Sequence, residues 1–228
     1  MILLMLLAVA MVTAAQTMTD PRDGKTYQTV TINGKVWMAE NLKYGTVVNT
    51  IVPQTNNGIV ESYAYGNNQA KYDMYAGNHT WNEAMNYTQV EGGQGICPTG
   101  WHIPTMDEWM SVVNAYGGLY AAGNAVNSVN AIGAVYWRTP NVNNNSTGLG
   151  IRANGMIGGW ARTGANVGWF SRIWTSSTRT FDDIPELITY GNDDHNPYKV
   201  CMSSQFYGSF ERMLCYPTTT AAVRCIQD

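Results

Sequence analysis

"CPTGWHIPTMDEW", residues 97–109, decides how this chain is read. Thr105 and Glu108 stand at capping-box spacing, so a helix starts after Thr105, and Asp107 adds negative charge to its first turn. The following "TMDEWMSVVNAYGG" places Trp109, Val112, Val113 and Tyr116 on one apolar face, and Gly117-Gly118 end it. Asp107 and Glu108 are neighbours on that helix and do not face each other as catalytic carboxylates would. They read as cap and dipole partners. His102 lies in the short extended piece between a turn and the helix, with no second histidine close in sequence, and reads as a hydrogen-bonded structural residue.

Towards the N-terminus, "TWNEAMNY" repeats the capping device with Thr80 and Glu83. "DPRDGKTYQTVTINGKVWMAENL", from residue 20, reads as a β-hairpin: Asp23-Gly24 marks a turn, and Asn33-Gly34 is a two-residue hairpin signal that sets Val30 opposite Trp37. Residues 45–70 lack a steady period and read as loop with one short strand. Beyond residue 119 comes a loosely helical stretch, then an Asn/Gly-rich loop region. "VGWFSRIWTSS", "YKVCMSS" and "AAVRCIQD" read as strands between long excursions. Early helices followed by a strand-rich half indicate an α+β class.

Only 13% of the 228 residues are charged, about half the usual share; Asn, Thr, Ser, Gln and Gly carry the polarity instead. A net charge of −3 with no basic run argues against nucleic acid or an anionic membrane as partner. "MILLMLLAVAMVTAAQ" resembles a secretory signal cut after Ala15, although it lacks the positive residues that usually precede the apolar run; either the start codon lies further upstream or the signal is atypical. The run is short for a membrane span. The expected organisation is a signal peptide over 1–15 and a single domain over 16–228, secreted or held at the cell surface. Four cysteines, Cys97, Cys201, Cys215 and Cys225, suit two disulfides in an exported chain, and spacing alone leaves their pairing open.

The segments at 20–42, 65–75 ("YGNNQAKYDMY"), 97–109, 174–178 ("WTSST") and 223–228 ("VRCIQD") together resemble the Fibrobacter succinogenes major paralogous domain family. That family is similar to the C-type lectin-like fold and to the domain of formylglycine-generating enzymes, whose "LPTEAEW"-type segment "IPTMDEW" echoes. The resemblance implies an α+β domain with paired N- and C-terminal strands, two helices flanking a small antiparallel sheet, and a long variable loop region. It implies a Cys97–Cys225 disulfide, which leaves Cys201–Cys215 as a second, local bridge. Tyr72 departs from the family, many members having cysteine there. It also implies a bacterial source, where the glycosylation sequons at Asn78, Asn86 and Asn145 carry no weight.

No enzymatic activity is expected. Formylglycine generation needs a reactive cysteine pair, and both pairs here read as structural. His79, His102 and His195 stand among unrelated neighbours, and no G-x-S-x-G, P-loop or H-E-x-x-H occurs. No cofactor is expected; the one calcium candidate is "YGNDDHNPY", 190–198, through Asp193 and Asp194 with Asn192 and Asn196 beside them. Aromatic rings stacking on sugar faces, with amides and acids bonding hydroxyls, point to glycan recognition. The candidates are Tyr190, Asn192, Asp193, His195 and Tyr198, with Asn143, Asn144 and Arg152 from an earlier loop. Trp101, Trp109, Trp137, Trp160, Trp169 and Trp174 read as core. The expected function is a binding module for a glycan, polymer or surface protein; the alternative is a structural component of the cell surface with no small ligand.

Overall fold

A computed structural model describes residues 16–131, 135–158, 161–180, 183, 198–205, 208–216 and 218–228. Residues 1–15, expected to form a signal segment, and Trp160, Tyr190, Asn192, Asp193, Asp194, His195 and Asn196 lie outside them. In chain order come β1 (Gln16–Thr19), β2 (Thr26–Ile32), β3 (Lys35–Met38), β4 (Thr46–Val48), β5 (Glu61–Tyr63), α1 (Gln69–Tyr75), β6 (His79–Thr80) and α2 (Trp81–Ala84). Then follow β7 (Trp101–His102), α3 (Met106–Ala115), α4 (Ala122–Val126), β8 (Met156–Gly158), β9 (Ala161–Ala165) and β10 (Phe170–Arg179). The chain closes with β11 (Tyr198–Gln205), β12 (Phe210–Cys215), β13 (Thr220–Ala221) and β14 (Ile226–Gln227). The fold is mixed α and β, with few helices and several small sheets.

The first sheet has the order β1-β2-β3-β14-β7 and the second β10-β11-β12. Asn33 and Gly34 both take positive φ, 52° and 78°, as a twist-matched two-residue turn requires, and Val30 pairs with Trp37. The C-terminal β14 pairs with the second hairpin strand, Ile226 opposite Trp37, rather than with the N-terminal β1. Both sheets separate two halves of the core, because successive strand residues point to opposite faces. Trp174, Cys201 and Cys225 join Tyr27, Trp81 and Trp101 on one side. Their neighbours Ile173, Met202 and Ile226 join Trp37, Trp109 and Phe210 on the other. Cys97–Cys225 and Cys201–Cys215 are bonded, with Cα separations of 5.9 and 6.4 Å.

At α3 both arms of the capping box form: Thr105 Oγ1 accepts from the Glu108 N–H, and Glu108 Oε2 accepts from the Thr105 N–H at 2.9 Å. At α2 only one arm forms. Glu83 is buried, and its Oε1 accepts the N–H of Glu61 at 2.7 Å while Oε2 accepts the Tyr87 hydroxyl. A tertiary partner took the side chain that would have closed the box, and α2 spans only four residues. Residues 45–70 hold more order than expected: β4 and β5 pair in parallel, and α1 begins at Gln69 behind an Asn68 side-chain cap. The stretch after residue 119 is helical only over α4. Trp101, Trp109, Trp137 and Trp174 are buried as expected, whereas Trp169 is 39% exposed on the turn before β10, beneath the Arg138 guanidinium.

His79 is fully buried on β6, paired with Ala221 of β13. Its Nδ1 donates to the Glu61 carbonyl at 2.8 Å, which fixes the neutral tautomer with a bare Nε2, unpartnered among the described residues. Burial, only partly opposed by that bond, pushes its pKa down to about 4. Between the unfolded value near 6.5 and about 4 the unfolded chain binds the extra proton, so stability falls as pH drops through this window. The expected loss from His79 between pH 7 and pH 4 is about 3 kcal/mol. Urea unfolding of His79→Gln should show that component removed; an unchanged pH slope would contradict the assignment.

Candidate functional site

His102 shows what the opening stretch does. Its Nδ1 lies 2.6 Å from Asp228 Oδ1 and its Nε2 3.1 Å from Glu108 Oε2. The bond to Glu108 raises its pKa against the opposing effect of burial, and Asp228 raises it further. This ties the C-terminal residue to the cap of α3, a structural ion pair strongest below the folded pKa of His102 and lost as pH rises through it.

A cleft of about 470 Å³ opens instead between β10 and the end of β12. That is within the range of about 300–1,000 Å³ typical of small-molecule sites. Phe170 and Arg172 from β10 line one wall, with Met156 and Asn166 beside them; Met213 and Tyr216 line the other, with Thr218 and Thr219. Each wall is held by backbone constraints. Buried Asn154 accepts the Arg172 N–H at 3.1 Å, and the Ala222 N–H donates to the Arg172 carbonyl at 3.0 Å. The Arg172 guanidinium sits 5.1 Å from the Phe170 ring centroid, a cation–π distance that orients both. Opposite, the Cys201–Cys215 bridge pins the end of β12 to β11, and Tyr216 is the next residue. A turn closed by the Thr219 N–H on the Tyr216 carbonyl carries Thr218 and Thr219 to the rim.

Tyr216 is 44% exposed, and its ring meets that of Tyr198 edge-on at 6.2 Å. Tyr198, a sequence candidate, therefore stands at the margin of this cleft. The other described candidates lie elsewhere. Asn143 is buried, its Oδ1 accepting from Asn127 Nδ2, which also reaches the Gln205 carbonyl. Gln205 and Tyr198 are opposite ends of β11, about 23 Å apart at strand rise. Asn144 Oδ1 accepts the Ser146 N–H within its own turn. Arg152 donates to the Met74 carbonyl at 2.6 Å and covers the Tyr136 ring at 4.3 Å. The structure does not bring these residues together. Phe170, Arg172 and Tyr216 were not anticipated as site residues; an aromatic directly after a bridged cysteine was the only signal for Tyr216.

Aromatic rings with amide, hydroxyl and guanidinium groups suit a ligand with apolar faces and many hydroxyls. No group of three or more His, Cys, Asp or Glu side chains able to hold a metal ion occurs among the described residues. Neither curated proteins nor solved structures gave a match to the chain. Against protein families, residues 30–227 match the Fibrobacter succinogenes major domain, a span that takes in the hairpin turn and β3, both disulfides and the residues lining the cleft. The chain belongs to the Fibrobacter succinogenes major domain family.

Proposed function

We propose that this protein is an exported, non-catalytic binding module on a C-type lectin-like fold, recognising a glycan through the cleft between Phe170 and Tyr216. The observation that carries the reading is the exposed Tyr216 ring, which lines a 470 Å³ cleft together with Phe170, Arg172, Asn166, Thr218 and Thr219. Rings offer a face to the C–H side of a sugar, and the polar groups bond its hydroxyls. Export is supported by two disulfides, which persist in oxidising compartments. Among the described residues no helix is long and apolar enough to cross a membrane. Binding needs no cofactor in this reading; calcium would enter through Asp193 and Asp194.

The second reading, an assembly component of the cell surface, draws on Ile51, Val52 and Ile59, apolar side chains exposed on the segment joining β4 and β5. A glycan-array screen of the oxidised protein from Gln16, with and without calcium, separates the two. Binding to one glycan class, weakened about tenfold in Tyr216→Ala by the lost ring contact, is the expected result. Silence across the array from folded protein transfers the assignment to assembly. Binding that requires calcium would place the site on the 190–198 segment.

A further inference from the structure

The cleft beside β10 and β12 is not uniform. Among its described lining residues none is acidic, and the exposed ones, Asn166, Tyr216 and Thr218, are those with polar atoms. Met156, Phe170, Met213 and Leu214 are half-buried and Cys215 is buried, so the deeper surface is apolar. The strand register gives the reason. Arg172 pairs with Ser203 and Met213 with Cys201, and Ser203 and Cys201 stand two residues apart on β11. Phe170, Arg172, Met213 and Cys215 therefore share one face of the second sheet. Between those rows β11 contributes two small side chains, Ser203 and Cys201, which leaves that face hollow.

A sugar ring carries hydroxyls around its edge, and a buried hydroxyl without a partner is costly. The deeper surface offers few partners. Thioether sulfur is a weak acceptor, and Phe170 and Leu214 have no polar side-chain atom. Thr219 is buried, and its N–H is already donated to the Tyr216 carbonyl. An apolar group gains free energy where a hydroxylated ring would lose it. Two methionines with a phenylalanine favour an aromatic group over an alkyl one, because thioether sulfur and ring edges both make specific contacts with aromatic rings.

We infer that the cleft takes a sugar bearing an aryl substituent. The aryl ring enters the apolar part lined by Met156, Phe170 and Met213, and the sugar stays at the rim with Tyr216, Asn166 and Thr218. This rests on the glycan reading of the cleft and names the class of ligand within it.

The test titrates phenyl, cyclohexyl and methyl β-glycosides of glucose, galactose and xylose, with phenol beside them, into wild-type protein labelled at its methionine methyls. For the sugar that binds, the phenyl glycoside should bind about thirtyfold more tightly than the methyl glycoside, the effect of burying one phenyl-sized group. The phenyl glycoside should also give ring-current shifts at the Met156 and Met213 methyls that the cyclohexyl glycoside does not. Equal affinity of phenyl and methyl glycosides, or of phenyl and cyclohexyl ones, overturns the inference and leaves the glycan reading standing. Phenyl glycosides that leave both methyls unmoved overturn it as well. Phenol binding as tightly as every phenyl glycoside removes the sugar instead, and with it the glycan reading on which the inference rests.

Discussion

Replacing Cys97 and Cys225 together by alanine lowers the stability of the oxidised protein by about 5 kcal/mol, the loop-closure entropy of a span this long. The two cysteines are 128 residues apart, and their bridge is buried in one half of the core. It holds the strand that closes the first sheet. The Met38 N–H donates to the Cys225 carbonyl at 3.0 Å, and Ile226 pairs with both Trp37 and His102. Without the bridge the last strand keeps those short ladders, the His102–Asp228 pair and the Arg224 bonds to Asn41 and Leu149, but loses its covalent tie to the rest of the core. A loss of this size is comparable with the whole stability of many domains. Cys201 and Cys215 close a span of only 14 residues, so their joint replacement should cost about 3 kcal/mol and act first on the cleft wall at Tyr216. Denaturant midpoints of the two double variants check the order; a smaller loss for the long bridge would contradict it.

Trp109→Ala is expected to cost about 3–5 kcal/mol. Trp109 is fully buried on the inner face of α3, 4.6 Å from the Trp37 ring and 5.4 Å, edge-on, from Phe210. It thereby joins α3 to the hairpin strand β3 and to β12, and the surrounding backbone has little freedom to collapse into the space. Its indole nitrogen makes no hydrogen bond among the described residues. Trp109→Phe should therefore recover much of the loss, since volume rather than a polar contact is what the site needs. Equal midpoints for the alanine and phenylalanine variants would show that the contact with Trp37 and Phe210 is not what stabilises the helix.

The parts of the fold legible in the sequence were those whose cause is local. Asn33-Gly34 fixes its own backbone and the Val30–Trp37 register, and Thr105 with Glu108 closes its own box. Where a distant residue intervenes, local reading stops. Glu83 had the right spacing but was taken by the Glu61 backbone. "FERMLC" went unrecognised as a strand because Glu211, Arg212, Met213 and Leu214 are all half-buried, which erases the alternation a strand normally shows. The cleft was the least legible feature. Its walls come from segments around 156–172 and 213–219, brought together by β11 and the Cys201–Cys215 bridge rather than by any motif. Tyr198 was found as a member of a polar loop, and it reached the cleft margin through Tyr216, its neighbour only in space.

The cleft reading is tested most directly by methionine-methyl NMR during titration with an oligosaccharide from the array-positive class. Met156 and Met213 line the cleft, whereas Met74 lies on α1, away from the cleft-lining residues, with its carbonyl held by Arg152. The methyl signals of Met156 and Met213 should move first and saturate together, with Met74 unmoved and the Met156 and Met213 shifts lost in Tyr216→Ala. Saturable shifts confined to other methionines, with Met156 and Met213 silent, would contradict the proposal that this cleft is the binding site.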